Sequence, residues 1–403
     1  MSPPSRTAGR DDGHRLRAWL APVESPDDHR VTTFELFFDL VYVFSFTQVT
    51  GWLVHEHSLR GTLQGLVVLA LLWWTWTAYS WLGNHFRADA GMVWLSMQVA
   101  MAAVFVAGLT IPALWTPAPG AAAPAVFVAC YALIRTLHLA VYLVAGRADR
   151  GLRRQILLSA CPSALSIVLL VVGASLAAGP RLAAWGAALA VDLLGIWWLA
   201  ARLAGWRIRS PGHFAERFGL VVIMALGESV IAIGVGASGT EPGAALLSIA
   251  VLGVGLAVTL WWVYFRRTAP AVERLLAGAT ARQRTRIATD AYTYLHFPVV
   301  AGIVVTAAGV EGIAAAAGTA GHGTAAAVLL VSGVATFTAA VAALRRQAGV
   351  PWLPLAAGTA VLPLGVAGAG VLDARALLAL VILALVAAGT AGSRTPPTRS
   401  AGT

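Results

Sequence analysis

The 403-residue sequence contains no lysine, and all 28 of its basic residues are arginine. Several mechanisms fall with that one absence. Without the lysine that reaches a nucleotide's phosphates, the chain is not by itself a P-loop ATPase. Without a side-chain amine, no Schiff base to retinal or to a pyridoxal cofactor can form. Charge of either sign is scarce: Asp, Glu, Lys and Arg make up 11% of the chain, hydrophobic residues 58%, and the mean hydropathy is +0.76. Soluble domains carry roughly 25% charged residues, so a surface facing only water is excluded. No HExxH zinc motif occurs, and "HEH" at 55–57 reads as a solvated turn. The two cysteines, Cys130 and Cys161, fall on predicted helices toward opposite faces of a bilayer, which leaves them as packed thiols rather than a disulfide. The first 30 residues mix both signs and lack an apolar core, so no signal peptide is expected. No lipidation signal is found, and the end, "GSRTPPTRS", reads as a disordered tail.

What the sequence has in abundance is long apolar runs. A stretch of about 18 or more such residues spans a bilayer as a helix. Twelve are present, at 34–54, 61–82, 92–114, 122–145, 155–178, 182–203, 214–236, 244–265, 288–310, 324–344, 351–371 and 374–391, with short breaks rich in Gly, Pro or Arg. The expected fold is all-α, a polytopic transmembrane helical bundle of about twelve helices. An N-terminal tail (1–32) leads into a transmembrane domain (33–392), with halves at about 33–203 and 214–392, and a disordered tail follows (393–403). A 6+6 repeat is hinted at: the first and seventh runs both open on Glu followed by an aromatic, and the second and eighth both contain "LWW".

The arginines orient the chain. With the N-terminus inside, internal loops and tails hold 24 arginines and external loops three, Arg60, Arg181 and Arg375, while Arg135 lies mid-helix. The positive-inside rule places both termini in the cytoplasm. The net charge of +10 then reports topology and attraction to anionic headgroups, above all at the basic loop 266–287, and nucleic acid is not an expected partner.

Ionisable groups inside hydrocarbon cost about 2.5–3.5 kcal/mol each on insertion scales, so each needs a reason. Helical rise sets Asp39, His138 and His296 roughly 8–12 Å from the internal helix ends, Arg135 and Asp192 about 15–16 Å, and Gln48 and Glu228 about 21 Å. Glu35 and Asp39 are i,i+4 neighbours on the first helix. Glu35 and Glu216 sit close enough to helix starts that capping and function are equally open to them. Arg135 and Asp192 share a level and fit a buried ion pair that fixes two helices; the alternative is a path in which Arg135 biases the protonation of Asp192 or Glu228. His138 and His296 read as core histidines or proton carriers, with axial haem ligation the least favoured alternative because nothing else in the sequence supports it. Ser229, in "LGES", resembles a serine nucleophile, but His296 lies about 10 Å away in depth, so hydrolase chemistry is not expected. The Trp pairs 73–74, 197–198 and 261–262 read as packing or interfacial anchors.

Three blocks, "ELFFDLVYVFSFTQVT", "HFAERFGLVVIMALGESVIAIG" and "YTYLHFPVVAGIVVTAAGVEG", fall in order in the first, seventh and ninth runs. Together they resemble the bacterial low temperature requirement protein A family over about residues 30–390. The matching motif positions are Glu35, Asp39, Glu216, Glu228, Ser229 and His296. The resemblance implies a multi-pass bacterial membrane protein tied to growth in the cold, and it carries no biochemical activity. The leading functional expectation is a secondary, proton-coupled transporter or permease of an unidentified small substrate or ion. Its candidate path runs through Asp39, Gln48, Arg135, His138, Asp192, Glu228 and His296. A structural or sensory membrane protein whose polar groups serve packing is the alternative, and an intramembrane enzyme the least favoured. No catalytic residue, cofactor or metal is expected.

The orientation is directly measurable. Reporter fusions after residues 150, 210 and 280 should read cytoplasmic, and fusions near 118 and 240 external; one swapped pair would mean a miscounted helix.

Overall fold

The computed structural model describes residues 21–26, 28–56, 58–116, 122–202, 207–238, 240–317, 323–368 and 373–391. The described residues are 85% helical, and no strand occurs among them. The helices are α1 (Thr33–His55), α2 (Leu59–His85), α3 (Gly91–Ala113), α4 (Ala123–Ala145), α5 (Arg150–Ala174) and α6 (Ala178–Arg202). They continue with α7 (Pro211–Gly236), α8 (Ala244–Ala277), α9 (Ala281–Ala315), α10 (Thr324–Gln347), α11 (Leu353–Gly368) and α12 (Ala374–Ala391). Eleven are long and apolar enough to cross a membrane; α11, at 16 described residues, is shorter. Residues 1–20 and 27 of the expected N-terminal tail (1–32) and the whole of the expected C-terminal tail (393–403) lie outside the described residues, as does His57 of the "HEH" turn.

Local chemistry explains where the helices begin. Asp149 caps α5, its carboxylate accepting from the amides of Gly151 and Leu152, so α5 starts before the apolar run at 155. Pro124 opens α4 where a missing N–H costs nothing. Thr280 and Gln283 form a capping box that starts α9. The stretch 266–287, expected as a basic loop, is therefore mostly helical. A π-helical tract, Tyr264–Thr268, carries α8 on to Ala277, and a second, Ala288–Leu295, joins the start of α9 to its apolar part. Between α2 and α3, Arg87 hydrogen-bonds Asp89 and holds its carboxyl below the usual range.

Side chains are sorted for lipid rather than water. On α1, Leu36, Phe37 and Leu40 are exposed while Glu35 and Asp39 are buried. The same inversion, apolar outside and polar within, is what hydrocarbon solvent demands. Trp197, Trp198 and Trp261 are about half exposed, at 48%, 51% and 47%, as lipid-facing or interfacial anchors would be, but Trp73 and Trp74 are buried. Cys130 and Cys161 are free thiols.

The chain divides into two compact units. The first comprises the described part of Met1–Gln48, with Leu66–Phe218 and Ala279–Thr289; the second comprises Val49–Gly65, Gly219–Gly278 and the described part of Asp290–Thr403. In the first, α3 packs on α4, α4 on α5 and α5 on α6, while Val68–Trp76 of α2 is buried almost throughout. In the second, α9 packs on α10, α10 on α11, and α12 on α8 and α11.

The α9–α10 pair is closed by glycines. A Cβ at Gly302 would lie 2.6 Å from the Phe337 nitrogen, one at Gly309 2.3 Å from the Leu330 nitrogen, and one at Gly333 2.4 Å from the Thr306 nitrogen. Backbone meets backbone here, the packing that small residues allow in membranes. Gly309→Ala should therefore destabilise the detergent-solubilised protein by about 1–3 kcal/mol in thermal unfolding. Gly234→Ala, where nothing lies within 4 Å, should be neutral or mildly stabilising; equal behaviour of the two variants would contradict the close packing.

Candidate functional site

The first unit holds a buried ionic cluster built from α1, α2 and α7. Glu35 and Asp39, one turn apart on α1, both face Arg217 of α7. Arg217 donates from Nη1 to Glu35 Oε1 at 2.7 Å and from Nη2 to Asp39 Oδ1 at 2.5 Å, and all three residues are at most 1% exposed. Charge-assisted bonds of this kind are the strong ones. Trp76 of α2 donates its indole N–H to the same Asp39 oxygen at 2.7 Å. The guanidinium carbon lies 5.8 Å from the Phe38 ring centroid and 5.7 Å from that of Trp76, so aromatic faces line the charge as well. The α2 backbone comes close enough that a Cβ at Gly83 would sit 2.8 Å from Glu35 Oε1.

Glu35 does two jobs. Its Oε2 accepts from the Thr32 amide (2.9 Å) and hydroxyl (3.1 Å), while the Glu35 amide donates to Thr32 Oγ1, a capping box at the start of α1. Its Oε1 serves Arg217 and lies 3.0 Å from His213 Nε2. Asn84 fixes the histidine's form. Its Oδ1 accepts from the Arg209 amide, so its NH2 group donates to the Ser210 carbonyl and toward His213 Nδ1, 3.4 Å away. With Nδ1 accepting, the ring proton is on Nε2, donated to Glu35, and the imidazole is neutral. Glu216 stays half-buried and accepts from the Val31 amide at 3.2 Å, tying the segment before α1 to α7.

The charge count of this cluster does not close. Two carboxylates face one guanidinium and a neutral imidazole. Asp39 Oδ2 is buried and meets no hydrogen-bond partner. The buried cluster thus holds one more carboxyl than it has guanidinium groups.

A second cluster in the same unit does close. Asp192 of α6 accepts from Arg135 Nη2 of α4 at 2.9 Å, from the Trp74 indole N–H of α2 at 2.6 Å, and from the Ser163 hydroxyl of α5 at 2.8 Å. The pairing expected from matched depth is present, with each Asp192 oxygen satisfied. His138, one turn from Arg135, is buried nearby on α4. Gln48 lies half-buried further along α1.

The second unit holds the other residues singled out. His296 is tied down at both nitrogens: Nδ1 lies 2.8 Å from the Ala291 carbonyl and Nε2 2.7 Å from the Tyr264 hydroxyl, with Tyr292 stacked on the ring. The π-helical tract supplies that carbonyl five residues back, so His296 is anchored in the core. Glu228 and Ser229 of α7 are both buried, and Glu311 of α9 is a further buried acid. Arg345, counted from sequence as a loop residue, is buried and donates to the Thr268 hydroxyl and the Val263 carbonyl.

The family model for the bacterial low temperature requirement A protein (LtrA) matches residues 30–390. The chain belongs to the LtrA family. An uncharacterized protein, RA0937, of Rhizobium meliloti (strain 1021) is 27% identical over 305 residues, covering 72% of this chain and 71% of its own. No solved structure matches. The cluster's members lie in two of the blocks that resemble LtrA proteins, yet its central cation was passed over. Arg217 stands seven residues into α7 and resembles a loop arginine. The signal that finds it is spacing: His213 and Arg217 are i,i+4 on one face, as Glu35 and Asp39 are on α1.

The Arg135–Asp192 pair can be tested by a double-mutant cycle. Arg135→Ala strands a buried carboxylate and should cost about 3–5 kcal/mol, seen as lost folded yield. Adding Asp192→Ala should recover much of it; a double variant as poor as the sum of the singles would contradict the pairing.

Proposed function

We propose that this LtrA protein is a proton-coupled secondary transporter or permease in which Glu35, Asp39, Arg217 and His213 form the proton-binding centre. The observation that carries the proposal is the uneven charge count. Two carboxylates are buried against one arginine, and a proton on Asp39 is the cheapest way to neutralise the remainder inside hydrocarbon. A group that gains and loses a proton beside a fixed guanidinium alters its local bonding each time, which is what coupling requires. His213, stacked 3.9 Å beneath the half-buried His29, is the member nearest the exposed segment before α1. Glu228 is a second candidate titrating group, and the expected path residues His138 and His296 are assigned no proton-carrying role here. The arginine distribution supports cytoplasmic termini, and membership of a bacterial family supports a bacterial inner membrane. The basic stretch 266–287 suits anionic lipid headgroups.

The saturated Asp192 favours a packing role for that pair: with three donors in place it has nothing left to exchange. The structural reading is therefore assigned to the Arg135–Asp192 pair and the transport reading to the Arg217 cluster.

Asp39→Asn keeps shape and hydrogen bonding but removes the titrating oxygen. In a strain lacking the gene, that variant should reach normal membrane abundance and fail to restore growth in the cold. In everted vesicles, the solute that discharges a proton gradient through the wild-type protein should have no effect with the variant. Full rescue by Asp39→Asn at normal abundance would overturn the proposal.

A further inference from the structure

A column of buried polar side chains runs along the α4–α5 hairpin of the first unit, and the Arg217 cluster does not use it. On α4 the column is Tyr131, Arg135, His138 and Tyr142, and on α5 it is Gln155, Ser159, Ser163 and Ser166, each at most 4% exposed. Their spacings of three and four residues put each set on a single face. The helices are joined by the short turn Gly146–Asp149 and run antiparallel, so the two columns oppose each other. Counting the rise from that turn, His138 and Ser159 stand at about 10–14 Å, Arg135 and Ser163 at about 15–20 Å, and Tyr131 and Ser166 at about 21–24 Å. The Arg135–Ser163 bond of 2.7 Å fixes the register.

The column is not filled by its own bonds. The Ser159 and Ser166 hydroxyls, the Tyr131 hydroxyl, Arg135 Nε and both nitrogens of His138 are buried without a hydrogen-bond partner. Tyr131 and Ser166 approach each other, and His138 approaches the Ala78 backbone, without closing that geometry. A buried polar group left without a partner keeps its full desolvation penalty. A stack of them along one interface fits a ligand that donates and accepts at every level.

We propose that the α4–α5 column binds a file of small neutral hydrogen-bonding molecules, water first among them, leading from the Gly146–Asp149 turn to the Arg135–Asp192 pair. The donor set selects for neutrality. Arg135 and Asp192 cancel in charge, the remaining members are hydroxyls, an amide and an imidazole, and the fixed guanidinium part-way along repels hydronium and other cations. The file is thus distinct from the proton-binding centre and supplies a polar route where that centre supplies a titrating group. At its turn-side end the Tyr142 hydroxyl lies 3.3 Å from His85 Nδ1, so the polar line continues to the end of α2.

Radiolytic hydroxyl labelling of the full chain in lipid nanodiscs tests this, because radicals form on bound water and modify the side chains it touches. Tyr131 and His138 should be labelled several-fold faster than Trp185, which is fully buried with its N–H bonded to the Leu170 carbonyl. Ser159→Leu, which fills the column with hydrocarbon, should abolish labelling at Tyr131; Asp39→Asn should leave it unchanged. Protection of Tyr131 and His138 equal to that of Trp185 in the wild-type protein would overturn the proposal, whatever the folded yield of the variants.

Discussion

The first unit depends on one arginine. Arg217 reaches two carboxylates on α1 and lies against two aromatic rings, and every partner is shielded from solvent. Inside a bilayer an unpaired charge costs several kcal/mol, and breaking a buried pair leaves that penalty on the survivor. Glu35, Asp39 and Arg217 are therefore not three independent features. Remove the guanidinium and the ionised Glu35 loses its counter-charge beside the Asp39 carboxyl; remove one carboxyl and the other alone balances the charge. The cluster also fixes helix positions: α1 and the start of α7 are held by charge-assisted bonds, α2 by the Trp76 indole and the absent side chain at Gly83.

The two ionic centres of the first unit differ in a way that separates their roles. Asp192 has a full complement of donors and a single opposing charge, so nothing about it calls for a further proton. Asp39 shares one oxygen between Arg217 and Trp76 and leaves the other bare, next to a second carboxylate. Satisfied networks specify packing, while those short of one charge are poised to take up a proton. Sequence depth alone does not separate the two, because both aspartates sit inside predicted helices.

Much of the architecture was legible from composition and periodicity. Runs of sufficient length named every described helix, and matched depth paired Arg135 with Asp192. The misreadings share a physical cause. Near helix ends, a sequence cannot tell a capping or loop residue from one folded inward, because that depends on which neighbour the turn meets. Arg217 and Arg345 were counted as loop charges and are buried. Glu35 reads as either a cap or a functional acid, and its two oxygens divide between the cap at Thr32 and the ion pair with Arg217. Trp74 reads as a packing or interfacial anchor and Trp76 does not stand out at all, because indole N–H donation is invisible until a carboxylate is placed opposite. The stretch 266–287 read as a loop from its arginines, and π-helical turns kept it helical.

The central claim is that the Arg217 cluster carries a proton on Asp39. Infrared difference spectroscopy across a pH titration measures this without a substrate, since a protonated carboxyl has a carbonyl band that a carboxylate lacks. The account predicts such a band in the wild-type protein at neutral pH. It should shift when aspartate is labelled with carbon-13 and vanish in Asp39→Asn, with Glu35 ionised throughout. A spectrum showing Asp39 and Glu35 both ionised at neutral pH would contradict the account and leave the cluster as a structural lock.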